Sequence, residues 1–244
     1  MVTVASPFTI EPLELGRRIA DTSLFLYLTE PGVPVEIAYR VWVLRNSTRT
    51  VLVDTGPPCE ESARRGLTEN TDVTAALSSI GLDASKIDTV VLTHLHWDHA
   101  ANAAKFPNAM FFVQKKEIEF FRSARRKHPS VDRFFSNCDY LDALIDCGRI
   151  LPVDGDFEVA AGILLIWSGG HTPGSQMLCV ETKEGRAVIA GDAIPLLRNY
   201  HEHIPPGILM NWCEAVAAIE RVTDLHPAVI YPGHDIVEHG RIES

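Results

Sequence analysis

Thr93-His94-Leu95-His96-Trp97-Asp98-His99 is the stretch on which the fold turns. Three histidines and one aspartate fall within six residues, directly after the apolar run Thr89 to Thr93. Imidazole and carboxylate are the donors that zinc and similar divalent ions take. The apolar run reads as a short buried strand. A loop leaving such a strand can curl so that alternate side chains converge. His94 and His96 can then aim at one ion while Asp98 and His99 aim at another. With only 10 histidines in 244 residues, a chance cluster in a polar surface loop is a poor account of this density.

Working outward, three further donors stand at the ends of predicted strands in Gly-rich turns. His171 lies in Gly169-Gly170-His171-Thr172-Pro173-Gly174, where the glycines and Pro173 enforce a tight turn. Asp192 follows Ala190-Gly191, and His234 follows the apolar run Val229 to Tyr231 through Pro232-Gly233. A lone histidine in a turn is more often structural than ligating. Three such residues in equivalent settings reverse that expectation.

Two longer segments share one pattern. Val41 to Gly56 and Met177 to Asp192 each read as a β-rich run, a polar turn and a second β-rich run, closing on an Asp beside a Gly. They predict two hairpins in two related halves that face each other. A helix is predicted from Val73 to Ile80, with Val73, Leu77 and Ile80 inward and Gly81 as its stop. A second begins at the N-cap Asn211, turns Trp212, Val216, Ile219 and Val222 inward, and ends before Pro227. Lys115 to Ile145 mixes charges with Phe120, Phe121, Phe134, Phe135 and Tyr140. It reads as a helical pair covering the sheet, part of which could wall a substrate pocket. No low-complexity linker interrupts the chain, so residues 1–244 are expected to form a single domain with helices outside a pair of central β-layers.

Composition narrows the partners. The formal net charge of -10 argues against a nucleic-acid partner, which leaves a basic footprint. No run approaches the roughly 20 apolar residues of a membrane span. The five cysteines are scattered without a CxxC pair and read as unpaired thiols in a reducing compartment. Met1 to Pro7 has neither a basic region nor a long apolar run, so no signal peptide and a cytoplasmic location are expected.

In order and motif these residues resemble the metallo-β-lactamase superfamily, across nearly the whole chain from Asp54-Thr55-Gly56 to His234-Asp235. The resemblance implies an α/β fold, an αββα sandwich of two mixed β-sheets flanked by helices, with the site at one edge. It implies two divalent metal ions, zinc being the expected element, although His and Asp ligands also accept manganese, cobalt or iron(II). His94, His96 and His171 would hold the first ion, and Asp98, His99 and His234 the second, with Asp192 bridging them. Asp54 would stand behind these ligands and orient a histidine through its free ring N–H.

Within that superfamily the chain is most similar to the N-acyl homoserine lactone lactonases. The likeness rests on His94 to Asn102, on Phe106-Pro107-Asn108-Ala109, on Val113-Gln114, on Gly170 to Gly174 and on Gly233-His234-Asp235. Two positions depart from those lactonases. The tyrosine usual three residues after the bridging aspartate is Pro195, and the histidine often found after Thr-Pro-Gly is Ser175.

The implied activity is hydrolysis of a carboxylic ester, with a small-molecule lactone or ester as substrate and an N-acyl homoserine lactone as the leading case. Two ions about 3.5–4 Å apart can share a bridging water, lower its pKa toward neutrality and let the hydroxide attack a polarised carbonyl. Asp98 is then both a ligand and the expected catalytic proton shuttle to the leaving alkoxide. Trp97, Tyr200 and His201 are candidate substrate contacts. The alternative is another hydrolase of the same superfamily, such as a thioesterase, a glyoxalase-II-like enzyme or a lactonase for a non-signalling lactone. A di-iron redox protein would place Glu at His96 and add a flavin domain. A β-lactamase of the branch that uses Cys would not carry Asp192.

Overall fold

A computed structural model describes residues 6–242. The N-terminal half folds into a six-stranded sheet whose strands lie in chain order. They are β1 (Thr9–Asp21), β2 (Pro34–Arg45), β3 (Thr50–Val53), β4 (Thr89–Val91), β5 (Met110–Gln114) and β6 (Ile150–Val153). β1, β2 and β3 run antiparallel, and β3 to β6 run parallel. The C-terminal half gives a second six-stranded sheet, ordered β12-β11-β10-β9-β8-β7. Its strands are β7 (Phe157–Ala160), β8 (Ile163–Trp167), β9 (Gln176–Thr182), β10 (Gly185–Gly191), β11 (Val229–Pro232) and β12 (Gly240–Arg241). β7 to β10 form an antiparallel meander, and β11 joins β10 in parallel.

The two hairpins expected from sequence are β2–β3 and β9–β10. In both halves the second hairpin strand pairs in parallel with the strand that precedes a metal-type histidine: β3 with β4, and β10 with β11. Asp54 and Asp192 follow β3 and β10, while His94 and His234 follow β4 and β11. The repeat read in the sequence is therefore a repeat of topology that brings His94, Asp192 and His234, with Asp54 behind them, to one edge.

Period-two alternation sorts the strand residues into three cores. Trp42 and Leu44 of β2, Val51 and Val53 of β3, and Leu178 and Val180 of β9 fill the space between the sheets. The alternate residues Tyr39, Val41, Val43 and Leu52 face outward, against the helices Val73–Ser79 and Lys115–Phe121 among others. On the other side Met177, Cys179, Val188 and Ala190 meet Ala218, Ile219 and Val222 of the helix Trp212–Asp224. Three cores separate four layers, the α/β sandwich of two mixed sheets. At the site edge Gln176 locks the layers together. Its N–H donates to the Thr93 carbonyl at 2.9 Å and its side-chain amide to the Leu92 carbonyl at 2.8 Å.

The helix predicted from Val73 ends where expected, with Gly81 at φ +77° behind it. The Asn211 cap is also present and accepts the Glu214 N–H at 3.3 Å. Trp212 departs from expectation, since it is 49% exposed and points away from the third core. Lys115 to Ile145 is not a helical pair. It divides into Lys115–Phe121, Pro129–Asp132, the 3-10 turn Arg133–Phe135 and Leu141–Asp146. Pro129 starts a helix and cannot sit inside one, and Asn137 takes φ +63°, which no helix accommodates. All five cysteines are free. No helix among the described residues is long and apolar enough to cross a membrane.

Candidate metal centre

The motif is half loop and half helix. His94 and His96 lie in the loop that leaves β4, with His96 extended, then Trp97–Ala100 forms one helical turn carrying Asp98 and His99. The change of conformation at His96 turns the two pairs of donors in different directions. The loop after β8 adds His171, the end of β10 adds Asp192, and the end of β11 adds His234. Gly233 permits the last approach, because a Cβ there would lie 2.7 Å from the Gly191 carbonyl oxygen and 2.9 Å from Asp192 Oδ1.

The seven expected residues come together as two sets. His94, His96, His171 and Asp192 form one, with donor atoms all within 4.8 Å of one another, and Asp98, His99 and His234 form the other. Asp192 stands between them. Its Oδ2 lies 3.1 Å from His171 Nε2 and 3.9 Å from His94 Nε2. Its Oδ1 lies 3.2 Å from His234 Nε2 and 3.3 Å from His99 Nε2. One oxygen thus faces each set. Asp98 Oδ2 sits 3.6 Å from His234 Nε2 and 3.7 Å from His99 Nε2.

Ring orientation is fixed from behind. His99 Nδ1 donates to Asp54 Oδ2 at 2.7 Å, His171 Nδ1 to the Ile208 carbonyl at 2.6 Å, and His234 Nδ1 to the Ala38 carbonyl at 3.0 Å. Thr93 Oγ1 donates to Asp54 and lies 3.2 Å from His94 Nδ1. With Nδ1 committed, each Nε2 presents a lone pair to the interior. Asp54 is fully buried and takes the strained φ of +62°. His96 is clamped by Phe134, stacked at a 5.1 Å centroid separation, and by the edge of Phe135 at 5.0 Å.

These residues suit a pair of divalent cations. Nε2 of His94 and His99 and Oδ1 of Asp192 are buried without a hydrogen-bond partner among the described residues, and His96 turns its Nδ1 into the set, 3.0 Å from His171 Nε2. Orphaned polar atoms of this kind are costly unless something binds them. Proton affinities divide the sets as well. Burial and neighbouring histidines hold His94 and His96 well below the usual imidazole range, and burial lowers His171. Burial pulls His99 and His234 the same way, but Asp192 and Asp98 outweigh it and raise both. Asp192 is held well below the carboxylate range, because His234, His99 and His171 outweigh its burial.

The expected substrate contacts are placed differently. Trp97 is 3% exposed, with its ring 5.7 Å from Tyr39 and the Arg65 guanidinium 4.4 Å from its centre. It packs into the core beside the first sheet rather than opening toward a ligand. Tyr200 packs against the third core, and His201 is exposed beside it. The reason lies in the helix Leu197–His201. Its inward face is taken by Asn199, whose amide donates to the Phe25 carbonyl at 2.8 Å, so Tyr200 turns the other way. Sequence reasoning missed Phe25 and Tyr39, whose rings lie 5.7 and 5.1 Å from that of His234. Both occupy apolar stretches and read as ordinary core.

The family profile described as Metallo-beta-lactamase superfamily matches residues 38–234. An N-acyl homoserine lactonase AiiA of Bacillus thuringiensis subsp. kurstaki is 25% identical over 241 residues, spanning 91% of this chain and 90% of its own. An N-acyl homoserine lactonase AttM of Azorhizobium caulinodans is 28% identical over 177 residues, 68% of this chain and 65% of its own. Among solved structures, an N-acyl homoserine lactone hydrolase with the product N-hexanoyl-L-homoserine at its catalytic metal center superposes with a TM-score of 0.79. It is 25% identical and covers 95% of each chain. A quorum-quenching N-acyl homoserine lactone lactonase reaches a TM-score of 0.81 at 23% identity, covering 96% of this chain and 95% of its own. The matched span runs through all seven donors, and the four-layer sandwich agrees with it: the chain belongs to the metallo-beta-lactamase superfamily.

Proposed function

We propose that this chain is a metal-dependent hydrolase that opens a lactone ring, with N-acyl homoserine lactones as the leading substrate class. The observation that carries the reading is Asp192, a buried carboxylate with one oxygen toward His94 and His171 and the other toward His99 and His234. That is the arrangement of a two-ion site. His94, His96 and His171 would hold one ion, Asp98, His99 and His234 the other, and Asp192 both. Zinc is the expected element. Two such ions would supply an activated water and a polarised ester carbonyl.

The protein's own residues do the rest. Asp98 is the acid–base residue of the site. Its side chain keeps 12% of its surface exposed beside two buried histidines, so it can carry a proton between the interior and a leaving alkoxide. Asp54, Ala38 and Ile208 hold three rings in the tautomer that ligation requires. Pro195 brings no hydroxyl, but its carbonyl accepts the His234 N–H at 2.8 Å and seats that loop. The phenol nearest the cluster is Tyr39, whose ring lies 5.1 Å from that of His234. The relatives named N-acyl homoserine lactonase over nine-tenths of the chain support the substrate class.

A panel of acyl homoserine lactones, simple γ- and δ-lactones and thioesters, presented to metal-replete protein, tests this. Lactone opening yields a carboxylic acid, so proton release read with a pH indicator is expected for the acyl homoserine lactones. Rapid thioester cleavage with every lactone inert would move the assignment to the thioesterase or glyoxalase-II-like reading.

A further inference from the structure

Glu117 is the third residue of the helix Lys115–Phe121, and it is completely buried. No Lys, Arg or His forms an ion pair with it among the described residues. Its carboxylate is nevertheless fully engaged. Oε1 accepts the Leu95 N–H at 3.0 Å. Oε2 accepts the Thr172 hydroxyl at 2.7 Å and the Gly174 N–H at 3.0 Å. Leu95 is the residue between His94 and His96, and Thr172 is the residue after His171.

One carboxylate therefore ties together the two loops that carry all three histidines of one set. The surroundings are built for it. Gly174 has no Cβ, and one added there would lie 2.2 Å from the Glu117 backbone nitrogen. Ser175, which stands where the lactonases often carry histidine, closes the network. Its Oγ accepts the Thr172 N–H at 3.0 Å and lies 2.7 Å from the Thr172 hydroxyl. Burying a carboxylate with no cation beside it costs more than an apolar residue of the same volume. Burial indeed pushes Glu117 up, against the pull of its three donors. A group kept at that cost is doing something that packing alone does not need.

Asp54 supplies the comparison. It too is buried and acceptor-only, and it fixes His99 of the other set directly through the ring. Glu117 reaches its set through backbone instead. We propose that Glu117 is the positioning residue of the His94, His96 and His171 set, locking its two loops in the geometry that binds a divalent ion tightly. The proposal rests on the two-ion reading above, and it assigns each ion its own buried carboxylate.

The test separates the sets by removing one at a time. Zn2+ affinity is measured by competition with a chromophoric chelator in two backgrounds, His234→Ala, which leaves the Glu117-linked set, and His171→Ala, which leaves the other. Adding Glu117→Gln keeps the shape but removes one acceptor. In the His234→Ala background it is expected to weaken binding about 10–100-fold, the usual effect of losing an outer partner of a metal ligand. In the His171→Ala background affinity should stay within about twofold, and the metal-free melting temperature should fall equally in both. Unchanged Zn2+ affinity in the His234→Ala background, or equal loss in both, overturns the proposal and makes Glu117 a general strut. Failure of the unsubstituted protein to bind two Zn2+ ions would instead overturn the two-ion reading itself. If Glu117→Gln does not fold, Thr172→Val is measured in the same way. It removes one donor to the carboxylate, and a several-fold loss confined to the same set is expected, with no loss overturning the proposal.

Discussion

Asp98 and Asp54 are both carboxylates beside histidines, and the proposed function assigns them opposite work. Asp98 keeps contact with solvent and faces His99 and His234 at 3.6–3.7 Å, so a proton can arrive and leave. Asp98→Asn keeps the volume and removes that route. Turnover is expected to fall by roughly 10²–10⁴, the range for lost acid–base help, with metal content checked alongside. Near-normal turnover with both ions bound would end the assignment. Asp54 is sealed from solvent and holds His99 Nδ1 at 2.7 Å and the Thr93 N–H at 2.7 Å. Asparagine tolerates its φ of +62°. Asp54→Asn therefore tests the acceptor rather than the backbone, and about 10–100-fold weaker binding of one ion is expected by equilibrium dialysis. Equal retention of both ions would show the contact to be incidental. The seven donors were legible at this scale because their chemistry resides in side chains and in one dense motif. The carbonyls of Ala38 and Ile208 orient two histidines without any side-chain signature. Tyr39 lies in a run of β2 buried on both faces, where sequence cannot separate a site residue from core.

Elements were legible where one face alone is buried. The helix Trp212–Asp224 announced itself through its Asn211 cap and through Ile219 and Val222, which do enter the third core. Trp212 departs from the expected inward face because hydrophobicity alone does not fix a side chain's direction. Trp212 and Cys213 open the helix on its solvent side, and the Trp212 ring is left 49% exposed. Trp212→Gln is accordingly expected to change stability by less than about 0.5 kcal/mol, as for other surface replacements. Asn211→Ala should cost about 0.5–2 kcal/mol through the lost cap. Urea titration of the two variants checks the contrast, and a larger loss for Trp212→Gln would place that ring in a contact not seen here. Lys115 to Ile145 was harder for a different reason. Its aromatic residues serve two clients, since Phe121 fills the core while Phe134 and Phe135 grip His96. No single period fits both.

At the scale of the whole molecule, the candidate centre joins the two sheets. His94, His96, Asp98 and His99 follow a strand of the first sheet, and His171, Asp192 and His234 follow strands of the second. Ions held there bind the folded chain alone. Each site at a free-ion level of 100 times its Kd adds about 2.7 kcal/mol, so stripping both should lower Tm by about 10–20 °C in a chain of this size. An unchanged Tm after chelation would mean that the sheets do not depend on the centre. Acid should not release the two ions together. Ligands must be deprotonated to bind, so each ion competes with protons at its own histidines. Burial opposes protonation of His99 and His234, yet Asp192 and Asp98 raise both above the ordinary imidazole value. An ion bound by this pair displaces protons even near neutrality, and its affinity weakens as soon as pH falls toward and below that value. His94, His96 and His171 are lowered by burial, so they stay unprotonated until the medium is more acidic. The ion held by Asp98, His99 and His234 is therefore expected to leave first on acidification, and the one held by His94, His96 and His171 at lower pH. Metal content after dialysis at stepped pH should pass through a plateau near one ion per chain. His234→Ala protein, which keeps only the other set, should show the later step alone. A single step releasing both ions, or an early step that survives in His234→Ala protein, would contradict this division of the site.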